Sequence, residues 1–312
     1  MQIWRSTDEI PADLTASVAS VGNFDGVHLG HQHVLRRARQ AADELGVDTV
    51  VAVTFDPHPM AVLRPEHAPP TLTSIETRVE LLEKAGADAV LVVPFDRAVA
   101  AWTPEEFVET ILVRGLRVRA VAVGANFRFG HKAAGDVALL RELGSQNGFE
   151  VDGVELDGGP QVWSSTYVRH CLATGDVAGA AEALGHPFQV RGVVVRGDQR
   201  GRELGFPTAN VPTPVVEAAP ADGVYAGWLT RTDTDERFPA AISVGTNPTF
   251  AGERARRVES YVLDRDDLDL YGVQVTVEFV ERLRGMVAFE GIEKLIETMH
   301  DDVRRAREIL GD

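Results

Sequence analysis

Two kinds of sequence pattern divide this chain, and the division limits its fold more than any other feature. Up to about residue 186, short apolar runs alternate with stretches of helical period. Such alternation is typical of a parallel sheet with helices on both faces. Beyond it, β-rich segments separated by turns lead to one terminal amphipathic stretch. We therefore predict α/β architecture with two domains: a doubly wound parallel-sheet domain, 1–186, and a small antiparallel β-barrel with a terminal helix, 187–312.

The predicted elements of the two halves follow from these periods. The first half contains the predicted strands Ser17–Val21, Thr49–Phe55, Ala89–Val93, Val118–Val123 and Val151–Leu156. Its predicted helices are His31–Leu45, Thr77–Ala85, Pro104–Arg114, Val137–Asn147, Ser164–Cys171 and Asp176–Leu184. The second half contains the predicted strands Phe188–Arg196, Gly223–Thr230, Ala240–Val244, Val258–Asp264 and Val273–Leu283, and the predicted helix Gly291–Leu310.

Composition excludes several classes of protein. The net charge is −16, from 31 Lys and Arg against 47 Asp and Glu, which argues against a nucleic-acid partner. One cysteine, Cys171, excludes an internal disulfide and a cysteine-based metal site. No apolar run approaches the roughly 18 residues that cross a bilayer, and no secretory signal precedes the first strand. We therefore expect a cytoplasmic protein without a membrane partner, and self-association stays open.

The unusual residues of the first half lie in loops that follow predicted strands. Asp25 and His28 follow the first strand, His58 the second and Asn126 the fourth. Because the carboxyl ends of parallel strands meet at one edge of the sheet, we expect these loops to form one site.

Two histidines, His28 and His31, stand three residues apart at the start of a predicted helix, with Gly30 between them. This spacing places both imidazoles on one face of the first turn, where free N–H groups favour anions. Phosphate binding by this turn would not need a phosphate-loop lysine, and none of the three lysines follows a glycine. Two surface histidines near a helix cap are the simpler interpretation. A zinc site that includes His33 is a third, although zinc prefers histidines four residues apart.

A glycine-rich string in the second half, Gly197–Asn210, reads GDQRGRELGFPTAN. Gly201 and Gly205 can expose backbone N–H groups to phosphate. Thr208 and Asn210 offer neutral oxygens suited to Mg²⁺. Taken alone, such a string is more often only a turn before a strand.

These strings together resemble a known family. Residues 22–31, GNFDGVHLGH, resemble the HxGH signature of nucleotidyltransferases, in the form found in the bifunctional bacterial riboflavin kinase/FMN adenylyltransferase family (FAD synthetases). The strings FDPHP at 55–59, GANFRFG at 124–130 and SSTYVR at 164–169 are similar to further motifs of its first half. LGFPTAN at 204–210, GTNPTF at 245–250 and VESYVLD at 258–264 are similar to motifs of its kinase half.

The resemblance implies roles for residues of the first half. His28 and His31 would contact the ATP phosphates and stabilise the transition state of adenylyl transfer. The remaining ATP and phosphate contacts would come from Gly22, Phe24, Asp25, Gly30, Asn126, Arg128, Ser165, Thr166 and Arg169. The flavin would be bordered by Phe55, Pro57, Pro59 and Phe129. Many relatives carry an arginine where this chain has Val162, so Arg169 and Arg128 are the candidates that balance the leaving diphosphate.

In the second half, the resemblance makes Glu259 the catalytic base of a kinase. Strand alternation points Glu259 away from Val258 and Ser260, so it can face the open end of the barrel. The resemblance also implies phosphate contacts at Gly201 and Gly205, magnesium ligation by Thr208 and Asn210, and flavin contacts at Asn247 and Arg284.

The resemblance thus implies two enzymes in one chain, with Mg²⁺ as cofactor and riboflavin, FMN and ATP as the bound partners. The carboxyl half would convert riboflavin and ATP to FMN and ADP, and the amino half FMN and ATP to FAD and diphosphate. A single-function cytidylyl- or pantetheine-phosphate adenylyltransferase would share the HxGH loop but would not need the second half. A non-catalytic flavin carrier would need no histidine pair.

Overall fold

The computed structural model describes residues 1–155, 163–197, 205–214, 216–246, 256–265 and 267–311. Contacts divide the chain into two units, Met1–Ser164 and Ser165–Asp312. Four residues named above, Leu156, Val162, Gly201 and Asn247, lie outside the described residues.

The first unit is built on a parallel sheet of six strands. They are β1 Gln2–Trp4, β2 Ser17–Val21, β3 Val50–Asp56, β4 Ala89–Pro94, β5 Val118–Gly124 and β6 Glu150–Val154. Their order across the sheet is β1-β4-β3-β2-β5-β6, and every pairing is parallel. The inner strands β2 and β4 are buried almost throughout, as expected for strands covered on both faces.

Helices cover both faces of this sheet. They are α1 Leu29–Leu45, α2 Pro59–Leu63, α3 Ile75–Lys84, α4 Pro104–Phe107 and α5 Val137–Asn147. Ala19, Val51 and Leu91 pack on one face against the α4 and α5 side. The opposite face of the strands packs against α1 and α3, where Leu35 and Leu82 are fully buried.

This unit differs from the sequence prediction at the short helix α2, which was not predicted, at β1 and at the helix after Thr103. The edge strand β1 was not predicted, because three residues with an exposed Ile3 carry no usable period. The predicted helix Pro104–Arg114 is α-helical only to Phe107 and continues as a π-helix over Val108–Gly115. Its predicted cap is observed, since Thr103 and Glu106 form a reciprocal capping box.

The second unit contains a six-stranded antiparallel sheet. Its strands are β7 Phe188–Val193, β8 Thr208–Thr213, β9 Gly223–Arg231, β10 Arg237–Thr246, β11 Arg256–Val262 and β12 Gln274–Gly285. The order is β7-β12-β9-β10-β11-β8. A bridge between Val195 and Asn210 joins the chain after β7 to β8, so the sheet nearly closes into the predicted barrel.

In the part of the second unit that the structure describes, three helices accompany the sheet: α6 Ser165–Thr174, α7 Val177–Leu184 and α8 Ile292–Leu310. The helices α6 and α7 pack on each other, and α7 packs on β7 and β12. The domain boundary at residue 186 stays a prediction, because these contacts assign residues 165–186 to the second unit. Among the described residues, no helix is both long and apolar enough to cross a membrane.

Candidate functional site

The loops predicted to form the first site follow three adjacent strands. Strand β2 lies between β3 and β5. The chain after β2 adds β3 on one side of it, and later adds β5 on its other side. Such a switch point opens a crevice at the carboxyl ends of the strands. The topology therefore places the loops after β2, β3 and β5 at one crevice.

The two histidines of the HxGH string are stacked at the start of α1. His28 is the N-cap residue, and its Nδ1 accepts a hydrogen bond from the backbone N–H of His31 at 3.4 Å. The ring centroids lie 3.6 Å apart at an interplanar angle of 24°. A Cβ at Gly30 would come within 3.1 Å of the His28 ring and 3.3 Å of the Trp163 carbonyl oxygen. Only glycine fits this position without displacing a neighbour.

Electrostatics favours an uncharged His31. Burial lowers the pKa of His31 well below its ordinary value, and the coulombic interactions with His28 and Arg78 act in the same direction. Its Nδ1 is buried and makes no hydrogen bond within the described part of the chain. A neutral imidazole at a helix start can donate one N–H to an anion without carrying a full charge itself.

A buried ion pair, which no sequence pattern predicted, holds the loop after β2. Asp25 and Arg78 are 1% and 4% exposed, and their nearest charged atoms lie 3.6 Å apart. The Asp25 carboxylate accepts hydrogen bonds from the backbone N–H groups of Leu72 at 2.9 Å and Thr73 at 3.1 Å. These contacts make Asp25 a buried anchor of the loop, and its predicted contact with ATP phosphates stays a prediction.

Arg78 joins this anchor to the end of strand β3. It donates to Thr54 Oγ1 at 3.2 Å and to the carbonyl oxygens of Phe55 and Thr73 at 3.3 Å each. The loop that it supports contains two non-glycine residues with left-handed backbone, Phe24 at φ 49° and Val27 at φ 42°. Residues in this region carry strain that the surrounding contacts must offset. No short motif contains Arg78, so only a structure could reveal its position.

A cavity of about 850 Å³ opens beside the histidine loop. Five predicted flavin or phosphate residues line it: Gly22, Phe55, Pro59, Arg128 and Phe129. Aromatic rings form one wall, where the Phe127 and Phe129 rings stack with centroids 5.5 Å apart and planes nearly parallel at 11°. Pro57 and Asn126 do not line it. A cavity of this size and character suits a planar aromatic ligand.

Strand register brings three predicted residues of the second unit onto one face. Glu259 on β11 pairs directly with Asn210 on β8, and Tyr261 pairs with Thr208. Directly paired residues share a face, so Glu259, Asn210 and Thr208 project to the same side of the sheet. Val258 and Ser260 are buried on the other side, as the alternation predicts.

The oxygen atoms of Thr208 and Asn210 form a compact donor set. Asn210 Nδ2 donates to Thr208 Oγ1 at 3.2 Å and to the Thr208 carbonyl oxygen at 3.1 Å, which fixes Asn210 Oδ1 on the other side of the amide. A Cβ at Gly197 would lie 2.5 Å from that Oδ1. Neutral oxygens of this kind fit Mg²⁺ when phosphate and water supply the other ligands. Both residues line a cavity of about 60 Å³.

Arg284 lies in a different setting from the one expected. Its guanidinium binds both carboxylate oxygens of the buried Asp302 on α8, at 2.7 Å to 3.1 Å. The structure thus gives Arg284 a contact that joins β12 to the terminal helix, and its flavin contact stays a prediction.

Three predicted phosphate ligands, Ser165, Thr166 and Arg169, lie in the first turns of α6 in the second unit. Their role towards ATP stays a prediction. Among the described residues, no group of three or more His, Cys, Asp or Glu could hold a metal ion, so the zinc interpretation of His28, His31 and His33 gains no support.

Comparisons with known proteins agree with this division into two sites. The family model described as FAD synthetase matches residues 10–166, and the model described as riboflavin kinase matches residues 184–310. The Escherichia coli (strain K12) bifunctional riboflavin kinase/FMN adenylyltransferase is 38% identical over 296 residues, covering 94% of this chain and 93% of that protein. The Pseudomonas fluorescens protein of the same name is 38% identical over 311 residues, covering 98% and 97%.

Among solved structures, a Streptococcus pneumoniae protein described as a macrolide-efflux protein is similar over 98% of both chains, with a TM-score of 0.87 and 30% identity. That likeness extends the agreement in fold to nearly the whole chain. The efflux description belongs to that protein alone.

Proposed function

The chain belongs to the family of bifunctional riboflavin kinase/FMN adenylyltransferases, and we propose from that premise which residues carry each reaction. Its C-terminal domain phosphorylates riboflavin with ATP, giving FMN and ADP. Its N-terminal domain adenylylates FMN with a second ATP, giving FAD and diphosphate.

For adenylyl transfer, we assign His28 and His31 to the reacting phosphates. A phosphate oxygen of FMN attacks the α-phosphorus of ATP, and the bond from that phosphorus to the bridging oxygen of diphosphate breaks. The N–H groups at the start of α1 and the imidazoles stabilise the charge that develops, without a covalent enzyme intermediate. The stacking of both rings at the helix start, beside a cavity that fits a flavin, is the observation that carries this assignment.

For phosphoryl transfer, we assign Glu259 as the general base. Its carboxylate accepts the proton of the ribityl 5′-hydroxyl as that oxygen attacks the γ-phosphorus, and ADP leaves. The register that places Glu259 beside Asn210 and Thr208 supports this role. When bound, Mg²⁺ neutralises phosphate charge, and Thr208 and Asn210 are the residues that would hold it.

We also propose that the enzyme acts in the cytoplasm on free flavins and ATP. Its one cysteine, Cys171, is buried and forms no disulfide, as is typical of a reducing compartment. The net charge of −16 opposes a nucleic-acid partner.

Both half-reactions measured on two variants test the two assignments together. We expect His28→Ala to lower FAD formation from FMN by about 10²–10³-fold, the usual cost of losing one transition-state donor, while FMN formation from riboflavin continues. We expect Glu259→Gln to lower FMN formation by about 10²-fold or more, while supplied FMN still becomes FAD.

The matched controls are His33→Ala and Glu281→Gln, which change the same residue types outside the two sites. Both should keep parental rates. Parental FAD formation in His28→Ala, or parental FMN formation in Glu259→Gln, would contradict the corresponding assignment. Equal losses of both activities in one variant would indicate general damage rather than a catalytic role.

A further inference from the structure

The cavity beside the histidine loop is lined by an unusual set of charges for so acidic a chain. Among the described residues that line it, four carry basic side chains, namely Arg64, Arg128, His131 and Lys132, and none carries a carboxylate. The whole chain has 47 acidic against 31 basic residues. A cluster of one sign in a low-dielectric cleft concentrates ligands of the opposite sign.

Two of these basic side chains are already engaged with the protein. Arg128 forms an ion pair with Asp136 at 3.2 Å. His131 Nδ1 lies 3.1 Å from the carbonyl oxygen of Ala100. By contrast, the side chains of Arg64 and Lys132 make no hydrogen bond or ion pair within the described part of the chain. Two cations at the cavity thus keep their full capacity to bind an anion.

The loop that carries Lys132 is held firmly in place. Phe129 and Gly135 exchange two backbone hydrogen bonds, and the N–H of His131 donates to the carbonyl oxygen of Trp102 at 2.7 Å. Gly130 has φ 73°, and a Cβ there would lie 2.7 Å from the backbone nitrogen of Pro104. The backbone at Lys132 is therefore held at the cavity rim.

The backbone within this loop is also strained. Lys132 and Ala133 have φ values of 55° and 57°, in the left-handed region that non-glycine residues rarely adopt. Strain of this kind persists where the surrounding structure enforces it, and it concentrates at ligand sites.

The cavity also offers what a flavin ring needs. Phe55, Phe127 and Trp102 line it with apolar surface, and Gly22 and Asn23 extend it to the loop of the reacting histidines. FMN combines an aromatic ring system with a phosphate dianion, and riboflavin differs from it only by lacking that phosphate. An aromatic wall together with two unpaired cations therefore matches FMN better than riboflavin.

We propose that Arg64 and Lys132 bind the 5′-phosphate of FMN in this cavity and thereby make the adenylyltransferase selective for phosphorylated flavin over riboflavin. The inference rests on the proposed flavin site in the first unit. In this assignment, the two cations distinguish FMN, the product of the kinase reaction, from riboflavin, its substrate. The held phosphate is the nucleophile of the next step, so the same contacts also orient it.

Steady-state kinetics of FAD formation from supplied FMN tests the proposal on the full-length chain. Lumiflavin, which has the ring but no ribityl phosphate and cannot be phosphorylated, serves as a competitive inhibitor. We expect Lys132→Met and Arg64→Met each to raise KM for FMN by about 10-fold or more, since a hydrogen bond to a charged group is lost. The inhibition constant of lumiflavin should stay within about twofold of the parent, because the ring contacts are intact.

Two further variants make the outcomes distinct. Lys84→Met removes an exposed lysine at the end of α3 and should leave both constants unchanged. Phe127→Ala shortens the aromatic wall and should weaken FMN and lumiflavin alike. If Phe127→Ala changes neither constant, the cavity is not the flavin site, and both this inference and the flavin assignment fail. If Phe127→Ala responds but KM for FMN is unchanged in Lys132→Met and Arg64→Met, the phosphate assignment alone is overturned. Equal changes of KM and of the lumiflavin constant in Lys132→Met would also overturn it.

Discussion

At the scale of single residues, the Asp25–Arg78 pair explains how a strained loop keeps two histidines in position. Both side chains are almost fully buried, and between them they contact the loop after β2, the end of β3 and the segment before α3. A pair of buried charges is costly to form, but removing one partner leaves the other charge without compensation. Arg78 is therefore a positioning residue, because it touches the loop rather than the reacting groups.

We expect Arg78→Met to lower the free energy of unfolding of the full chain by about 3–5 kcal/mol, as for other broken buried pairs. FAD formation should fall with it, because Phe24 and Val27 lose the contacts that hold their left-handed backbone. Urea unfolding and both half-reactions measure these effects. In the matched control Arg37→Met, an exposed pair with Asp152 is lost, and the cost should stay below about 1 kcal/mol.

Two results would contradict this account of Arg78. One is equal destabilisation by Arg78→Met and Arg37→Met. The other is that the double variant Asp25→Asn with Arg78→Met loses as much free energy of unfolding as the two single variants lose together. Because the double variant leaves no unpaired buried charge, the two changes should couple strongly.

At the scale of elements, helix α8 shows how a terminal segment becomes part of the second unit. Its apolar residues Val303 and Ala306 pack with Leu283 and Val224 of the sheet. Asp302 is buried, and its carboxylate accepts hydrogen bonds from the guanidinium of Arg284 on β12. One face of the helix thus combines an apolar contact with a two-point ion pair, and this combination fixes its register on the sheet.

We expect Asp302→Asn to lower the free energy of unfolding by about 2–3 kcal/mol, because the hydrogen bonds to a charged guanidinium are weakened. Its neighbour Asp301 is exposed and pairs with Arg304 within the same helix, so Asp301→Asn should cost less than about 0.5 kcal/mol. Chemical unfolding of both variants measures the difference. Parental stability of Asp302→Asn would show that the apolar contacts alone hold α8.

At the scale of the whole molecule, residues 165–186 decide how the chain divides. The helix pair α6 and α7 buries Leu172 and Leu184 within the second unit. Arg282 on β12 donates to the carbonyl oxygen of Thr174 at 3.0 Å, and the N–H of Ala221 donates to that of Leu172 at 2.8 Å. The kinase family match begins only at residue 184, after most of these contacts.

We expect a fragment 165–312 to unfold cooperatively and to make FMN from riboflavin. A fragment 187–312 should melt at a lower temperature, because it exposes the apolar surface that α7 covers and leaves Arg282 without its partner on α6. Calorimetry and the kinase assay compare the two fragments. Equal melting temperatures would mean that the helix pair adds nothing to the kinase unit, and the boundary at 186 would then be the better description.

The sequence by itself determined the two architectures, and it predicted that the loops after three strands of the first half meet at one edge of the sheet. Apolar runs and helical periods depend on residues a few positions apart in the chain, so β2 to β6, α5 and the placement of His28 and His31 on one face of the first turn followed from local pattern. The motif residues Glu259, Asn210 and Thr208 were also named from sequence, and strand register places them on one face.

Tertiary structure alone decided what depends on distant parts of the chain meeting in space. Asp25 and Arg78 are 53 positions apart, and only the packing of α3 against the sheet makes them a pair. Arg64 and Lys132 belong to no common motif, yet two loops bring them to one cavity. Arg284 binds Asp302 because α8 lies along β12. The local period of a sequence carries no information about such partners, since their contact energy is gained only after the chain has folded.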